Sequence, residues 1–368
     1  MTARIVGEVE MGAQERISSI ISQKASRTKF LNVRVDKTVP SGLGVGSRLC
    51  NENCVFVRDL EIACHDDNSY REAGKALSNS ELLRIIRLLH AASSMPINLH
   101  IAGDGEPTLF EDELLDLIRS LRSMEFIGTI RMTTNGTRLS HGKPDLAQRL
   151  VVAGLDELNV SLHSLKTESF KDITGIDALQ LVLEGIECAV AAGLNTSINC
   201  LVREGTEAEL NSYINLSRRL GVRVKFFGLL DGTGAAQEYL DGLLQKMHRA
   251  LSSMVSMEYS YQEPYGGALF DVDGAIMDLK DSRVNTCPVV NCKARNTCSE
   301  GCRYYARLSP TGILQPCGVR RDNLLDMKDA TIRYETVLKS LIEGGKMLRA
   351  SKSVQNTFSS TKLHARPL

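Results

Sequence analysis

Residues 193–227 read GLNTSINCLVREGTEAELNSYINLSRRLGVRVKFF. Two short stretches of apolar and β-branched residues, Thr196–Val202 and Val222–Phe227, flank a segment of helical length. Strand, helix, strand in this spacing is a β–α–β unit, in which the two strands run parallel. The punctuation agrees. Gly193-Leu194 and Gly221-Val222 each set a glycine, which can take the left-handed conformation that stops a helix, before an apolar residue entering a strand. Gly154-Leu155 repeats the device ahead of Glu157–Leu162.

Working outward, Phe30–Val35, Ile97–Ala102 and Thr129–Thr134 are further strands of the same kind. Leu82, Ile85, Ile86 and Leu89 share one helical face behind a capping box of Ser78 and Glu81, and Leu114, Leu117, Ile118 and Leu121 repeat the pattern. Six strands alternating with helices predict an α/β fold, a partial (β/α)6 TIM-like barrel rather than the eight-stranded version. After Leu230 the pattern changes: Gln237–Met257 reads as one helix, followed by a Gly- and Tyr-containing stretch and a Cys-rich one. The expected organisation is an N-terminal extension over 1–28, the barrel over 29–235, a small Cys-rich domain over 236–325, and a C-terminal helix and tail over 326–368. Ser41–Gly46 looks like a nucleotide loop, but no helix follows it, so a flexible insertion is the better reading.

Lysine plus arginine equals aspartate plus glutamate, 44 of each, so no global field points to nucleic acid or membrane. Aromatic residues make up 5% of the chain, leaving few stacking platforms for bases. No apolar run reaches the roughly 20 residues of a membrane span, and no secretory signal opens the sequence. A cytoplasmic protein is therefore expected, and in a reducing compartment its ten cysteines are better metal ligands than disulfide partners. They are grouped: Cys50, Cys54 and Cys64, then Cys287, Cys292, Cys298, Cys302 and Cys317. Three thiolates leave one iron of a four-iron cluster open, while a zinc site or buried thiols would use the same residues. Cys188 and Cys200 stand apart and read as small core residues.

Segments downstream of Cys54 bear on that choice. Gly103-Asp104-Gly105-Glu106-Pro107 follows the second strand, Thr133-Thr134-Asn135-Gly136 the third, Asn159–Ser164 forms the fourth with Ser161, and Ile198–Arg203 the fifth with Asn199 and Arg203. In this order the chain resembles the radical S-adenosylmethionine superfamily, in the branch of the molybdenum-cofactor GTP cyclase, over residues 29–230 and again 287–325. The resemblance implies that Gly103, Asp104, Gly105, Glu106, Pro107, Thr134, Asn135, Ser161, Asn199 and Arg203 bind S-adenosylmethionine beside a 4Fe-4S cluster. Glycines there would allow close backbone approach, and a carboxylate would pair with the methionine ammonium. It also implies a reductant such as flavodoxin or ferredoxin, and a 5′-deoxyadenosyl radical that takes hydrogen from substrate.

One departure concerns the cluster loop. The family pattern is Cys-x3-Cys-x2-Cys, but Val57 occupies the third position behind Phe56, and the next cysteine is Cys64. Cys64 is then the third ligand in a longer loop, with His65 as a further candidate, or the site has lost its cluster.

In the second group, Cys302-x9-Gly312-x4-Cys317 resembles the auxiliary-cluster extensions called Twitch and SPASM, with a hairpin over Arg303–Pro316 turning at Pro310-Thr311-Gly312. The resemblance implies an auxiliary 4Fe-4S cluster held by three or four of the five cysteines, where spacing alone would also fit structural zinc. Arg218, Arg219, Arg223 and Lys225 form a basic cluster that suits either a substrate phosphate or a solvated helix end. His163 suits either a proton carrier or a hydrogen-bonded barrel residue. The expected function is hydrogen abstraction from a small polar metabolite (nucleoside, nucleotide or sugar). The cyclase's own reaction is not expected, since its C-terminal glycine pair is missing from His364–Leu368. A peptide-modifying enzyme is the rival, against which the segment before residue 29 is short for a leader-binding domain. A non-catalytic metal-binding barrel is the second.

Overall fold

The computed structural model describes residues 13–37, 50–54, 74–103, 105–228, 234–255, 257–261, 267–280, 305–316, 324–329, 331–343 and 364–367. Its centre is six parallel strands in chain order: β1 (Leu31–Val35), β2 (Ile97–Ile101), β3 (Ile127–Thr134), β4 (Glu157–Ser161), β5 (Asn195–Leu201) and β6 (Arg223–Phe227). Each falls on a stretch that the sequence marks as a strand. The helices are α1 (Ala13–Ser26), α2 (Asn79–Ser93), α3 (Glu111–Arg122), α4 (Leu146–Ala153), α5 (Thr167–Thr174), α6 (Leu179–Ala191), α7 (Leu210–Leu220), α8 (Gly234–Ser252) and α9 (Tyr334–Glu343).

Local chemistry sets the boundaries. Ser78 Oγ accepts from Glu81 N at 3.2 Å while Glu81 Oε2 accepts from Ser78 N at 2.8 Å, which closes the capping box of α2. Gly154 (φ 103°) and Gly221 (φ 66°) stop α4 and α7 in the left-handed region, where a side chain would be strained. The helix expected over Gln237–Met257 instead ends at Ser252, and Met257 opens a strand that runs to Tyr261.

Alternation along the strands divides the sheet into two chemistries. Leu31, Val33 and Val35, with Ile97, Leu99 and Ile101, enter one large apolar core with Leu82, Ile86, Leu117 and Ile118 of the outer helices. Residues between them meet on the opposite, inner face, where Asn98 Nδ2 donates to Asn32 Oδ1 at 3.2 Å.

The sheet does not stop at six strands. β7 (Met257–Tyr261), β8 (Gly267–Val272) and β9 (Ala275–Lys280) extend it beyond β6, with β9 parallel to β6, and β13 (His364–Pro367) finishes that edge. At the other edge β10 (Tyr305–Leu308) pairs parallel with β1 and is followed by β11 (Ile313–Gln315) and β12 (Leu325–Asp326). Segments on the far side of residue 236 thus continue the barrel sheet at both edges. The hairpin around Pro310-Thr311-Gly312 is present, with Gly312 at φ 93°.

The N-terminal extension contains α1, which closes one end of the barrel. Ile17 and Ile21 pack on Tyr259, Leu269 and Ile276. Lys24 Nζ lies 2.8 Å from Asp278 Oδ2, and Arg27 Nη2 donates to Glu157 Oε2 at 2.7 Å. Glu157 opens β4, so α1 covers the N-terminal ends of the strands and leaves the C-terminal ends for the site.

Candidate active site

Catalytic loops of parallel barrels gather at the C-terminal ends of the strands, and the expected cofactor residues do so here. Glu106, just past β2, is 2% exposed and holds the loops together. Its Oε1 accepts from Thr108 N at 3.0 Å, Thr108 Oγ1 at 2.6 Å and Thr134 Oγ1 at 2.6 Å, and its Oε2 accepts from Asn135 N at 2.7 Å. Burial raises its carboxyl above the usual range, and these four donors oppose the shift. A carboxylate offers about four lone-pair sites, two on each oxygen. Oε2 carries one donor where Oε1 carries three, so it is the oxygen better placed to take a ligand donor. Gly103 is packed so closely on Asp36 that a Cβ there would fall 1.9 Å from Asp36 Oδ1. Gly105 and Pro107 belong to the same turn, and Asp104 lies outside the described residues.

Asn135 links this network to the cluster loop. Its Nδ2 donates to Asn51 Oδ1 at 2.7 Å and lies 3.9 Å from Cys50 Sγ, while Asn51 Nδ2 donates to Thr137 Oγ1 at 2.8 Å. Cys50 and Cys54 are free, half-buried thiols at the barrel mouth. Burial pushes both above the ordinary thiol value. Between them Glu52 accepts from Cys54 Sγ through Oε2 at 3.6 Å, and its backbone N donates to Cys50 Sγ at 3.4 Å. Burial pushes the Glu52 carboxyl up to about 7 against the thiol hydrogen bond, and the Glu106 carboxylate adds to the rise. Cys64, Cys287, Cys292, Cys298, Cys302 and Cys317, with Val57 and His65, lie outside the described residues.

Ser161 and Asn199 stand opposite each other in the β4–β5 register. Asn199 Oδ1 is buried without a hydrogen-bond partner. An orphaned carbonyl oxygen in a barrel mouth fits a ligand donor such as the S-adenosylmethionine implied by the sequence, because leaving it unpaired costs about 1–3 kcal/mol. Arg203 lies beyond β5. Its backbone N donates to Thr206 Oγ1 at 2.8 Å, and its charge bears on His163. His163 itself is a buried barrel residue. Its Nδ1 accepts from Leu201 N at 3.1 Å, and burial, with Arg203, lowers its pKa to about 4. It is neutral at physiological pH.

Deeper in the barrel the inner face is rich in cations. His100 Nε2 lies 2.8 Å from Thr133 Oγ1. Burial, then the charges of Arg131, Arg34, Lys225 and Lys280, hold its imidazole well below the usual value. Lys225 stands across from Asn199 in the β5–β6 register, with Nζ 2.5 Å from Asn159 Oδ1. Burial, then Arg223, Arg131, Lys280 and Arg27, push its ammonium well down. The inner carboxylates have other partners: Glu157 receives Arg27 and Arg131, and Asp278 receives Lys24, with Arg223 at 3.8 Å. The basic cluster of the sequence is thereby divided. Arg218 and Arg219 pair on the surface with Asp273 and Glu187, while Lys225 enters the barrel.

Sequence reasoning passed over Glu52, Thr108 and His100. The alternation that points His163 inward applies equally to His100 on β2. Thr108 gave no signal, because its role exists only once Glu106 folds back onto it. Cys200 is buried beside Tyr213, with burial pushing its thiol up to about 12, as suits a core residue.

Residues 45–216 match the family described as the Radical SAM superfamily. A probable GTP 3′,8-cyclase of Saccharolobus islandicus (strain Y.N.15.51 / Yellowstone #2) is 30% identical over 288 residues, covering 77% of this chain and 84% of that one. A probable GTP 3′,8-cyclase of Thermococcus kodakarensis is 35% identical over 181 residues, 49% of this chain and 53% of that one. Streptococcus suis SuiB bound to S-adenosylmethionine superposes with a TM-score of 0.55 at 14% identity, covering 94% of this chain and 76% of that one. Native anSMEcpe with bound AdoMet gives 0.52 at 15%, covering 85% and 82%. Those two likenesses are of fold.

Fold and relatives together define a cofactor-dependent α/β-barrel enzyme. The chain belongs to the radical S-adenosylmethionine superfamily, whose cofactors are a 4Fe-4S cluster and S-adenosylmethionine. No helix among the described residues is long and apolar enough to cross a membrane.

Proposed function

We propose that this enzyme abstracts hydrogen from a small phosphate-bearing metabolite of the nucleotide class, in a biosynthetic rearrangement, elimination or carbon–carbon bond formation. The observation carrying this reading is Lys225. It is a buried amine on the inner face, pressed by neighbouring cations, and it makes no direct ion pair among the described residues. Cations outnumber the one carboxylate that acts on it, Glu157, and burying positive charge is costly, so the site favours an anion arriving with the substrate. The curated relatives are named for a nucleotide reaction, which supports the same class.

The cluster and S-adenosylmethionine, when bound, would supply the one-electron radical chemistry. The chain's own residues supply position. Cys50 and Cys54 would hold iron of the bound cluster. The Glu106 network fixes the loops after β2 and β3 relative to Cys50. Ser161 and the open Asn199 Oδ1 meet polar groups of S-adenosylmethionine, and Lys225 and Asn159 take the substrate anion one layer deeper. Residues 29–235 form the catalytic core in this reading. The unit over 236–325 carries an auxiliary cluster on cysteines of the second group, 326–368 forms the C-terminal helix and tail, and a flavodoxin- or ferredoxin-type protein is the reductant.

The test is anaerobic. Reconstituted protein receives S-adenosylmethionine, a strong reductant and a panel of nucleotides, with the matching nucleosides beside them, and 5′-deoxyadenosine is quantified. A nucleotide is expected to stimulate cleavage where its nucleoside does not. In Lys225→Met its half-saturating concentration should rise about tenfold or more, as for loss of a charge-assisted hydrogen bond of roughly 1.5–3 kcal/mol. Equal stimulation by nucleoside and nucleotide would refute the anion assignment.

A further inference from the structure

Glu52 is the residue of the cluster loop that neither the family pattern nor the radical chemistry accounts for. Its neighbours Asn51 and Asn53 are exposed, whereas its carboxyl turns inward, close enough to Glu106 for their charges to interact. One oxygen takes the Cys54 thiol at 3.6 Å, and the other, Oε1, is buried with no partner. Its backbone N holds Cys50 Sγ at 3.4 Å, so the carboxyl is tied to both thiols expected to bind iron.

Metal binding changes the balance of these contacts. Iron takes thiolate, so the thiol proton now shared with Glu52 leaves when the cluster forms. Two thiolates and the Glu52 carboxylate would then converge in a half-buried site, with the Glu106 charge acting on it. Without a cation this repels strongly, and nothing among the described residues offers Oε1 a donor. The loop also has Val57 where the usual third thiolate would stand.

We propose that the Glu52 carboxylate is an iron ligand, the third that the protein supplies to the cluster after Cys50 and Cys54, leaving one iron open for S-adenosylmethionine. This rests on Cys50 and Cys54 being cluster ligands. Binding releases the thiol protons of both Cys50 and Cys54 to solvent, and the Glu52 carboxylate, with Oε1 unpartnered, becomes a donor to the metal.

The test uses the full chain, reconstituted anaerobically with ferrous iron and sulfide. Iron and sulfide per chain are measured, with the electron paramagnetic resonance (EPR) signal of the reduced protein before and after S-adenosylmethionine. The part of the signal that responds to S-adenosylmethionine reports this cluster even if the second cysteine group also binds iron. Glu52→Gln should lose the responsive signal and one cluster's worth of iron, or convert to a three-iron cluster. Glu52→Cys, which restores an iron ligand, should regain it. A structural role predicts the reverse, because glutamine keeps the size and an acceptor oxygen that cysteine lacks. If Glu52→Gln keeps the wild-type signal while Cys64→Ala loses it, the third ligand is Cys64 and the proposal is overturned. Cys50→Ala separates the two levels: a responsive signal surviving there would sink the assignment of the loop itself.

Discussion

Glu106 shows how one side chain can tie the loops of a site together while facing its ligand. Its four donors come from two loops, after β2 and after β3, and Asn135 carries the linkage on to Asn51 and the cluster loop. Glu106→Gln puts an amide NH2 against either Asn135 N or the three donors at Oε1. The variant should lose about 1–3 kcal/mol of stability in denaturant titration and bind S-adenosylmethionine more weakly by calorimetry. Cys50→Ser with Cys54→Ser should abolish 5′-deoxyadenosine production with little change in circular dichroism, since both thiols are free and half-buried. The motif residues were legible as residue types in order. Their partners were not: Thr108 is ordinary in sequence, and Thr134, marked by the resemblance as a cofactor contact, turns its hydroxyl to Glu106 instead once the loops meet.

At the scale of elements, α1 illustrates what spacing conceals. Its apolar residues Ile17, Ile20 and Ile21 lie within a short polar segment, and the reading as a simple extension missed that this face has a seat on Tyr259, Leu269 and Ile276. Ile17→Ala should cost about 2–4 kcal/mol through the cavity it leaves, read as a lower unfolding midpoint. The turn that follows α1 has its own signature, through Arg27. Burial would raise the Glu157 carboxyl, but Arg131 and Arg27 outweigh burial and hold it at about 2. A depressed carboxyl contributes stability above its unfolded value, near 4.5, and loses it as pH falls through the folded value. The wild type should therefore lose on the order of 3 kcal/mol between about pH 4.5 and 2 from this group. Glu157→Gln should flatten that part of the acid-unfolding curve while lowering stability at neutral pH.

For the whole molecule, the sheet decides more than the barrel count suggests. β10 covers the open edge of β1, and β9 covers that of β6, so chain distant in sequence protects the strands that carry the site. An uncovered parallel edge is a template for association. Truncation after residue 303 should give a protein that self-associates on size-exclusion chromatography, while full-length protein does not by this route. The sequence by itself determined the six β–α units, the glycine stops and the order of motif segments at the strand ends. These depend on short-range periodicity and backbone geometry, which adjacent residues specify. Only the tertiary structure decided that α1 floors the barrel, that the late strands share the barrel's sheet, that Lys225 separates from Arg218 and Arg219, and that Glu52 lies between two thiols with an oxygen unsatisfied. Each of those depends on which distant groups share a buried space, and burial sets the cost of charge and of unpaired polar atoms.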